Sequence, residues 1–280
     1  MSIKIIIIGA QGMLGQELAK VFQKDEPLLW DLPQLDITDK DRVEQKIFKE
    51  RPDIIINAAA YNDVDGAEKN ETLANKINGY AVGYLAKAIN VVRGILVHYS
   101  TDYVFKGDNK EGYIEENQPN PQSAYARSKY LGEQELQKNI KKFYLIRLSR
   151  LFGQAAISQN AKKSFIDQML ELAKTKSEIN VVNEELSCPT YALDLANQTK
   201  LIIKNQRPFG IYHVTNSGAC TWYDLAKEIF TIKKIDVKLN PVSSDFFPRL
   251  AKRPKYSVLI NTKLPALRSW QEALREYLIE

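Results

Sequence analysis

A nearly uninterrupted β-branched run, Ile3-Lys4-Ile5-Ile6-Ile7-Ile8, stops at Gly9 and gives way to a helical pattern of Leu14, Leu18, Val21 and Phe22. Such a run reads as a strand buried on both faces, the kind found inside a parallel sheet. The glycine-rich turn between strand and helix, Gly9-Ala10-Gln11-Gly12-Met13-Leu14-Gly15, has GxxGxxG spacing. Glycine permits the tight turn and close backbone approach, and the helix start offers unpaired N–H groups to a phosphate. In this context the turn reads as a dinucleotide cradle, with Gly9, Gln11 and Gly12 at its centre.

The alternation continues down the chain. Strands are expected at Leu28 to Trp30, Asp53 to Asn57, Gly94 to Tyr99 and Phe143 to Leu148, with helices at Arg42 to Lys49, Leu73 to Ile89 and about Ser123 to Asn139. This predicts an α/β fold, a doubly wound parallel sheet with a smaller C-terminal substrate-binding domain. Residues 1–152 form the dinucleotide-binding domain, to whose sheet 190–216 return, and 153–189 with 217–280 form the substrate-binding domain. Beyond Gly153 the expected elements are helices at Ser164 to Thr175, Leu193 to Lys204 and Thr221 to Phe230, and strands at Ile179 to Val182 and Gly210 to Val214. The remaining C-terminal stretch, containing Pro and Lys, reads as surface structure.

Bulk properties narrow the function. The 280 residues carry a net charge of +5 from 39 basic and 34 acidic residues, scattered without a basic block, so nucleic acid is not an expected partner. No apolar run approaches membrane-spanning length, and the six-residue N-terminal run is too short for a signal peptide, so a cytoplasmic protein is expected. Cys188 and Cys220 lie far apart and encode neither a disulfide framework nor a zinc site. His98 and His213 sit within apolar strands and read as structural; Trp222 and Tyr223 read as core packing.

Chemistry is expected at the carboxyl ends of the strands. Asp31 closes the second strand, where an acidic residue would bind ribose hydroxyls. With no Arg or Lys between Lys24 and Lys40, it favours NADH, with NADPH as the alternative. Tyr125 and Lys129 stand four residues apart on one helical face, so an ammonium could favour the phenolate of a tyrosine that protonates a carbonyl as hydride arrives at carbon. Ser100 or Thr101, at the end of the fourth strand, could hydrogen-bond that carbonyl or the tyrosine oxygen.

These features fall in the order of the extended short-chain dehydrogenases. Within that group the chain resembles the dTDP-4-dehydrorhamnose reductase family, through GAQGMLG at 9–15, LDITD at 35–39, RPDIIINAAAYNDVDGAE at 51–68, HYSTDYVF at 98–105, YARSKYLGE at 125–133, PT at 189–190, GIYHVTNSGACTWYDLA at 210–226 and RPKYS at 253–257. The resemblance implies reduction of the 4-keto group of a nucleotide-linked 6-deoxy sugar. It makes Tyr125 the general acid, Lys129 its pKa-lowering and ribose-binding partner, and Thr101 the third catalytic member. It places cofactor contacts on Gly12, Met13, Leu14, Asp31, Asp36, Ile37, Ala60, Tyr61, Asn62 and Tyr99, and sugar contacts on Thr101 and Asp102. The family's magnesium-assisted dimer contacts rest on acidic residues whose pattern is not matched, so no metal is expected and a homodimer is left open.

The departures lie on the substrate side. Where the family has Arg-Thr-Ser-Trp-Val-Tyr-Gly, this chain has Arg147-Leu148-Ser149-Arg150-Leu151-Phe152-Gly153. Arg150 could clamp a carboxylate or diphosphate, stack on a base, or turn to solvent. Asn183 to Cys188 departs likewise, and Tyr256 stands where the family often has Asn. Arg253 is the candidate for the diphosphate. Two alternatives stay open: another nucleotide-sugar epimerase or reductase, and a cofactor-binding regulatory subunit without turnover.

Overall fold

In the computed structural model, which describes residues 3–157 and 163–279, six parallel strands form one sheet. In chain order its first half comprises β1 (Ile5–Ile8), α1 (Met13–Val21), β2 (Leu28–Trp30), α2 (Lys40–Glu50) and β3 (Ile54–Asn57). Then come α3 (Val64–Lys69), α4 (Glu71–Asn75), a π-helical turn (Lys76–Tyr80), α5 (Ala81–Val91), β4 (Ile95–Thr101), α6 (Ala124–Asn139) and β5 (Phe143–Leu148). After β6 (Leu151–Phe152) follow α7 (Phe165–Leu172), β7 (Glu178–Val182), β8 (Thr190–Tyr191), α8 (Ala192–Lys204), β9 (Gly210–His213), α9 (Trp222–Lys233), β10 (Lys238–Val242) and α10 (Trp270–Ile279).

The sheet order is β2-β1-β3-β4-β5-β9, every pair parallel. The chain winds outward from β1 to β2, then reverses across β1 to β3, which opens a crevice at the carboxyl ends of β1 and β3. β1 is buried at every position, so its isoleucines serve both faces. Ile6 and Ile8 pack with Val43, Leu85 and Leu136 on one face, and Ile5 and Ile7 with Leu18, Tyr144 and Leu195 on the other. Fully burying one such side chain is worth about 1.5–3 kcal/mol, so two-sided coverage accounts for a run that never alternates.

A third apolar cluster lies outside the sheet, where α7, α9 and α10 pack around β7 through Ile166, Val181, Ile229, Trp270 and Leu274. One expectation needs correction here. The C-terminal stretch is more than surface structure: β10 pairs with β7, and Trp270, Ala273 and Leu274 of α10 are buried. The long helix expected over Leu73 to Ile89 is present as the unbroken succession of α4, the π-helical turn at Lys76–Tyr80 and α5.

Residues 255–260 form a strap across the molecule. Tyr256 N donates to Gly107 O at 3.0 Å, Ser257 N to Leu186 O at 2.9 Å, and Ile260 N to Tyr113 O at 2.8 Å. The strap thereby holds the loop after β4 against the segment leading to β8, with its own Ser257 and Leu259 buried.

Candidate active site

Gly9 takes a left-handed conformation, φ +79°, and its N–H donates to Trp30 O at 2.9 Å, fixing the turn to the end of β2. A Cβ at Gly9 would stand 2.7 Å from Ala59 N, and one at Gly15 2.0 Å from Gly9 O, so backbone occupies the space that side chains would need. Gly12 is the N-cap of α1 and no side chain caps its first turn. The helix start that carries Met13 and Leu14 thus retains the donor character that suits an anionic phosphate.

Asp31 lies just past β2 with its carboxylate turned onto this cradle, accepting from Gln11 N and from Leu32 N, each at 2.9 Å. Asp36 accepts from the Thr38 amide and hydroxyl at 2.9 and 2.7 Å. The Ile37 side chain belongs to the core, which leaves its backbone as the group able to meet a ligand. Ala60, Tyr61 and Asn62 form the loop after β3.

That loop is joined to α6, the helix that carries Tyr125 and Lys129, by a residue that sequence reasoning missed. Asn78, buried in the π-helical turn, accepts from Tyr61 N at 2.8 Å and donates to Tyr61 O and Ser128 Oγ, each at 3.0 Å. Ser128 in turn donates to Tyr125 O at 2.7 Å. An asparagine set within an apolar helical stretch was the available signal, since a buried amide is retained where its hydrogen bonds are met.

Tyr125 and Lys129 share one face of α6, as their spacing requires. Lys129 is 3% exposed and its Nζ donates to the Tyr99 carbonyl at 2.6 Å; burial pulls the ammonium down to about 8. Tyr99 itself differs from expectation. Its hydroxyl lies 2.9 Å from Thr199 Oγ1 and its ring packs in the core of the opposite face, so its carbonyl is the part that serves the site. The Tyr125 phenol also departs from the expected direction. Burial pushes it upward, the nearby Asp102 charge adds to this, and the Thr101 hydroxyl opposes both. Lys129, turned to the Tyr99 carbonyl, does not offset the desolvation, and Tyr125 rests as a neutral acid.

Of the two hydroxyls ending β4, Thr101 faces Tyr125, whereas buried Ser100 Oγ has no partner. Thr101 Oγ1 accepts from Tyr103 N at 3.2 Å and donates to Asp102 Oδ1 at 3.0 Å. The Tyr103 ring stands edge-on to Tyr125, centroids 6.0 Å apart. Asp102, 2% exposed, also accepts from Ser257 Oγ at 2.5 Å; burial pushes its carboxyl up to about 6 against these hydrogen bonds.

On the substrate side, Arg150 is neither turned to solvent nor offered as a free fork. Its terminal nitrogens donate to Cys220 O at 2.8 Å and Glu185 O at 2.6 Å, and its guanidinium lies 4.0 Å over the Trp222 ring. These contacts hold it at φ +42°, a left-handed conformation uncommon for a residue with a side chain. Trp222 donates to Glu185 Oε2 at 3.0 Å, so its indole belongs to a polar bracket as well as to core packing. Arg253 pairs bidentately with Asp65 at 2.7 and 2.6 Å. His98 and His213 are both buried in strands with Nε2 unpartnered. Among the described residues no helix is long and apolar enough to cross a membrane, and no cluster of three His, Cys, Asp or Glu could hold a metal ion.

Comparison with known proteins agrees with this geometry. The family model of the RmlD substrate binding domain matches residues 3–280. The chain is 36% identical to a dTDP-4-dehydrorhamnose reductase of Aggregatibacter actinomycetemcomitans, over 97% of each chain. It is 37% identical to a probable dTDP-4,6-dihydroxy-2-methyloxan-3-one 4-ketoreductase of Streptomyces antibioticus, over 97% of this chain and 93% of that one. The crystal structure of the dTDP-4-dehydrorhamnose reductase of Bacillus anthracis in complex with NADP superposes with a TM-score of 0.94 at 37% identity, covering 100% of this chain and 99% of that one.

Proposed function

Because the chain belongs to the dTDP-4-dehydrorhamnose reductase family of extended short-chain oxidoreductases, we propose that it reduces the 4-keto group of a dTDP-linked 6-deoxy sugar. The reaction is dTDP-4-dehydro-L-rhamnose to dTDP-L-rhamnose, with Tyr125 as proton donor. The observation that carries this reading is the meeting of Tyr125, Thr101 and Lys129 at the carboxyl edge of β4, beside a glycine cradle.

The cradle suits a dinucleotide because Gly9 and Gly15 leave no room for a Cβ and the first turn of α1 has no side-chain cap. The α1 amides would take the pyrophosphate, Asp31 the adenosine ribose and Lys129 the nicotinamide ribose, with residues 60–62 lining the same crevice. When bound, the nicotinamide supplies the hydride. Tyr125 delivers its phenolic proton to the keto oxygen while Thr101 holds that oxygen in line. Asp31 favours NADH, and NADPH is the alternative donor. Residues 1–152 with 190–216 serve as the dinucleotide-binding domain, and 153–189 with 217–280 as the substrate-binding domain. Thr101, Asp102 and Arg253 face the sugar diphosphate, with Arg150 shaping the wall behind it.

The test is loss of nicotinamide absorbance with NADH or NADPH and dTDP-4-dehydro-L-rhamnose made in situ, comparing wild type with Tyr125→Phe. General acid catalysis typically contributes 10²-fold or more, so the variant should lose about that factor in turnover and keep its cofactor affinity. Cofactor binding without oxidation in the wild type would reject this substrate. Equal loss of binding and rate in Tyr125→Phe would reject the role of the tyrosine.

A further inference from the structure

A line of hydrogen-bonding groups begins on the C-terminal strap and ends at the catalytic phenol. Ser257 Oγ donates to Asp102 Oδ2 at 2.5 Å, Asp102 Oδ1 and Thr101 Oγ1 lie 3.0 Å apart, and Thr101 faces Tyr125. We propose that Asp102 is the proton reservoir that restores Tyr125 after each reduction, passing a proton through the Thr101 hydroxyl while Ser257 holds the carboxyl in line. The inference rests on the reading of Tyr125 as proton donor.

The arrangement is more than a capped turn. Asp102 is 2% exposed, and a buried carboxyl without a hydrogen-bonded cation is costly when ionised. The guanidinium that acts on it, that of Arg150, is spent on the carbonyls of Cys220 and Glu185. Around the carboxyl stand Thr101, Ser257, Tyr103, Tyr125, Cys188 and Arg150, while Glu185 and Arg253 act on the adjoining Tyr103. Only one of these, Arg150, brings a cation close to Asp102. Burial accordingly raises the carboxyl to about 6, within reach of a proton near neutrality.

The step balances with solvent as the final source of the proton. Reduction leaves Tyr125 as a phenolate, which its enclosed site disfavours. The O–H bond of Thr101 breaks as its proton joins the Tyr125 oxygen, and the O–H bond of protonated Asp102 breaks as that proton joins Thr101 Oγ1. One negative charge moves from phenolate to carboxylate, and solvent water later returns a proton to Asp102. A hydroxyl both donates and accepts, so the same 3.0 Å contact serves whichever partner holds the proton.

First-turnover and steady-state rates separate this role from a structural one, because Tyr125 enters the first turnover already protonated. With saturating NADH and dTDP-4-dehydro-L-rhamnose in rapid mixing, Asp102→Asn should lose about 10²-fold more in the steady-state rate than in the first-turnover rate. The wild-type steady-state rate should fall as pH rises through about 6, a limb absent from Asp102→Asn. Ser257→Ala, which removes a donor to the carboxylate, should move that limb to higher pH. In the resting protein, the infrared band of a protonated carboxyl should titrate over the same range and vanish in Asp102→Asn.

Equal slowing of both phases in Asp102→Asn, or an unchanged pH limb, would overturn the relay and leave the reductase reading intact. A resting protein with no titrating carboxyl band would do the same. If the wild type shows no first turnover, or if Tyr125→Phe keeps it, the reading of Tyr125 fails and takes the relay with it.

Discussion

Arg253 and Asp65 face each other through two parallel hydrogen bonds of 2.7 and 2.6 Å, and Arg253 also donates to Ala251 O at 2.6 Å. This pair ties the C-terminal segment to α3, and it occupies the guanidinium fork that a diphosphate would use. A substrate diphosphate bound there would share or displace a carboxylate. Arg253→Lys, which keeps the charge and loses the bidentate geometry, should raise KM for the nucleotide sugar about tenfold and leave the cofactor Kd in place. Steady-state kinetics with both ligands varied will check it. The hydrogen bonds from Arg253 hold the Asp65 carboxyl well below its ordinary value of 3.8, so the stabilisation is present above pH 4 and is lost as pH falls further. Thermal melts of wild type and Asp65→Asn should converge on acidification below pH 4.

Lys129 sets a second pH dependence with the opposite cause. Burial draws its ammonium down to about 8, with Glu133 pulling the other way. The charged form, which donates to Tyr99 O and would reach the cofactor ribose, is lost as pH rises through that value. The first-turnover rate should fall on the alkaline side of about 8, and Lys129→Met should abolish this limb while weakening cofactor binding. Stopped-flow rates across pH, with cofactor titrations beside them, decide the matter.

Asn78 should couple stability to activity. Asn78→Ala leaves the Tyr61 N–H and carbonyl and the Ser128 hydroxyl short of a partner, at a cost of about 1–3 kcal/mol in urea denaturation. Because the same side chain joins the cofactor loop to the helix bearing Tyr125, cofactor Kd and turnover should worsen together. A variant that loses stability alone would confine Asn78 to the fold.

The parts of the molecule legible in the sequence are those with local causes. Continuous isoleucine runs at Ile5–Ile8 and over 54–56 announce two-faced burial, and a four-residue spacing places Tyr125 and Lys129 together on any helix. The parts that escaped depend on pairing at a distance. β10 holds polar Lys238 and Asn240 with Pro241, and becomes a strand because β7 lies beside it. The upward shift of the Tyr125 phenol is not legible in the sequence, because spacing reveals a neighbouring ammonium but not where that ammonium points. Ser257 carries no mark of its own; its meaning comes from Asp102, 155 residues earlier.

That separation also bears on how the protein comes into being. The sheet's first five strands and the Tyr125–Lys129 pair are complete by residue 148, yet the strap supplying Ser257 and the amide of Ile260 is made more than a hundred residues later. A growing chain folds from its first-made end, so the glycine turn after β1 precedes the Ser257 hydroxyl in time. The hydrogen bond that Ser257 gives Asp102 can therefore form only when nearly the whole polypeptide has emerged.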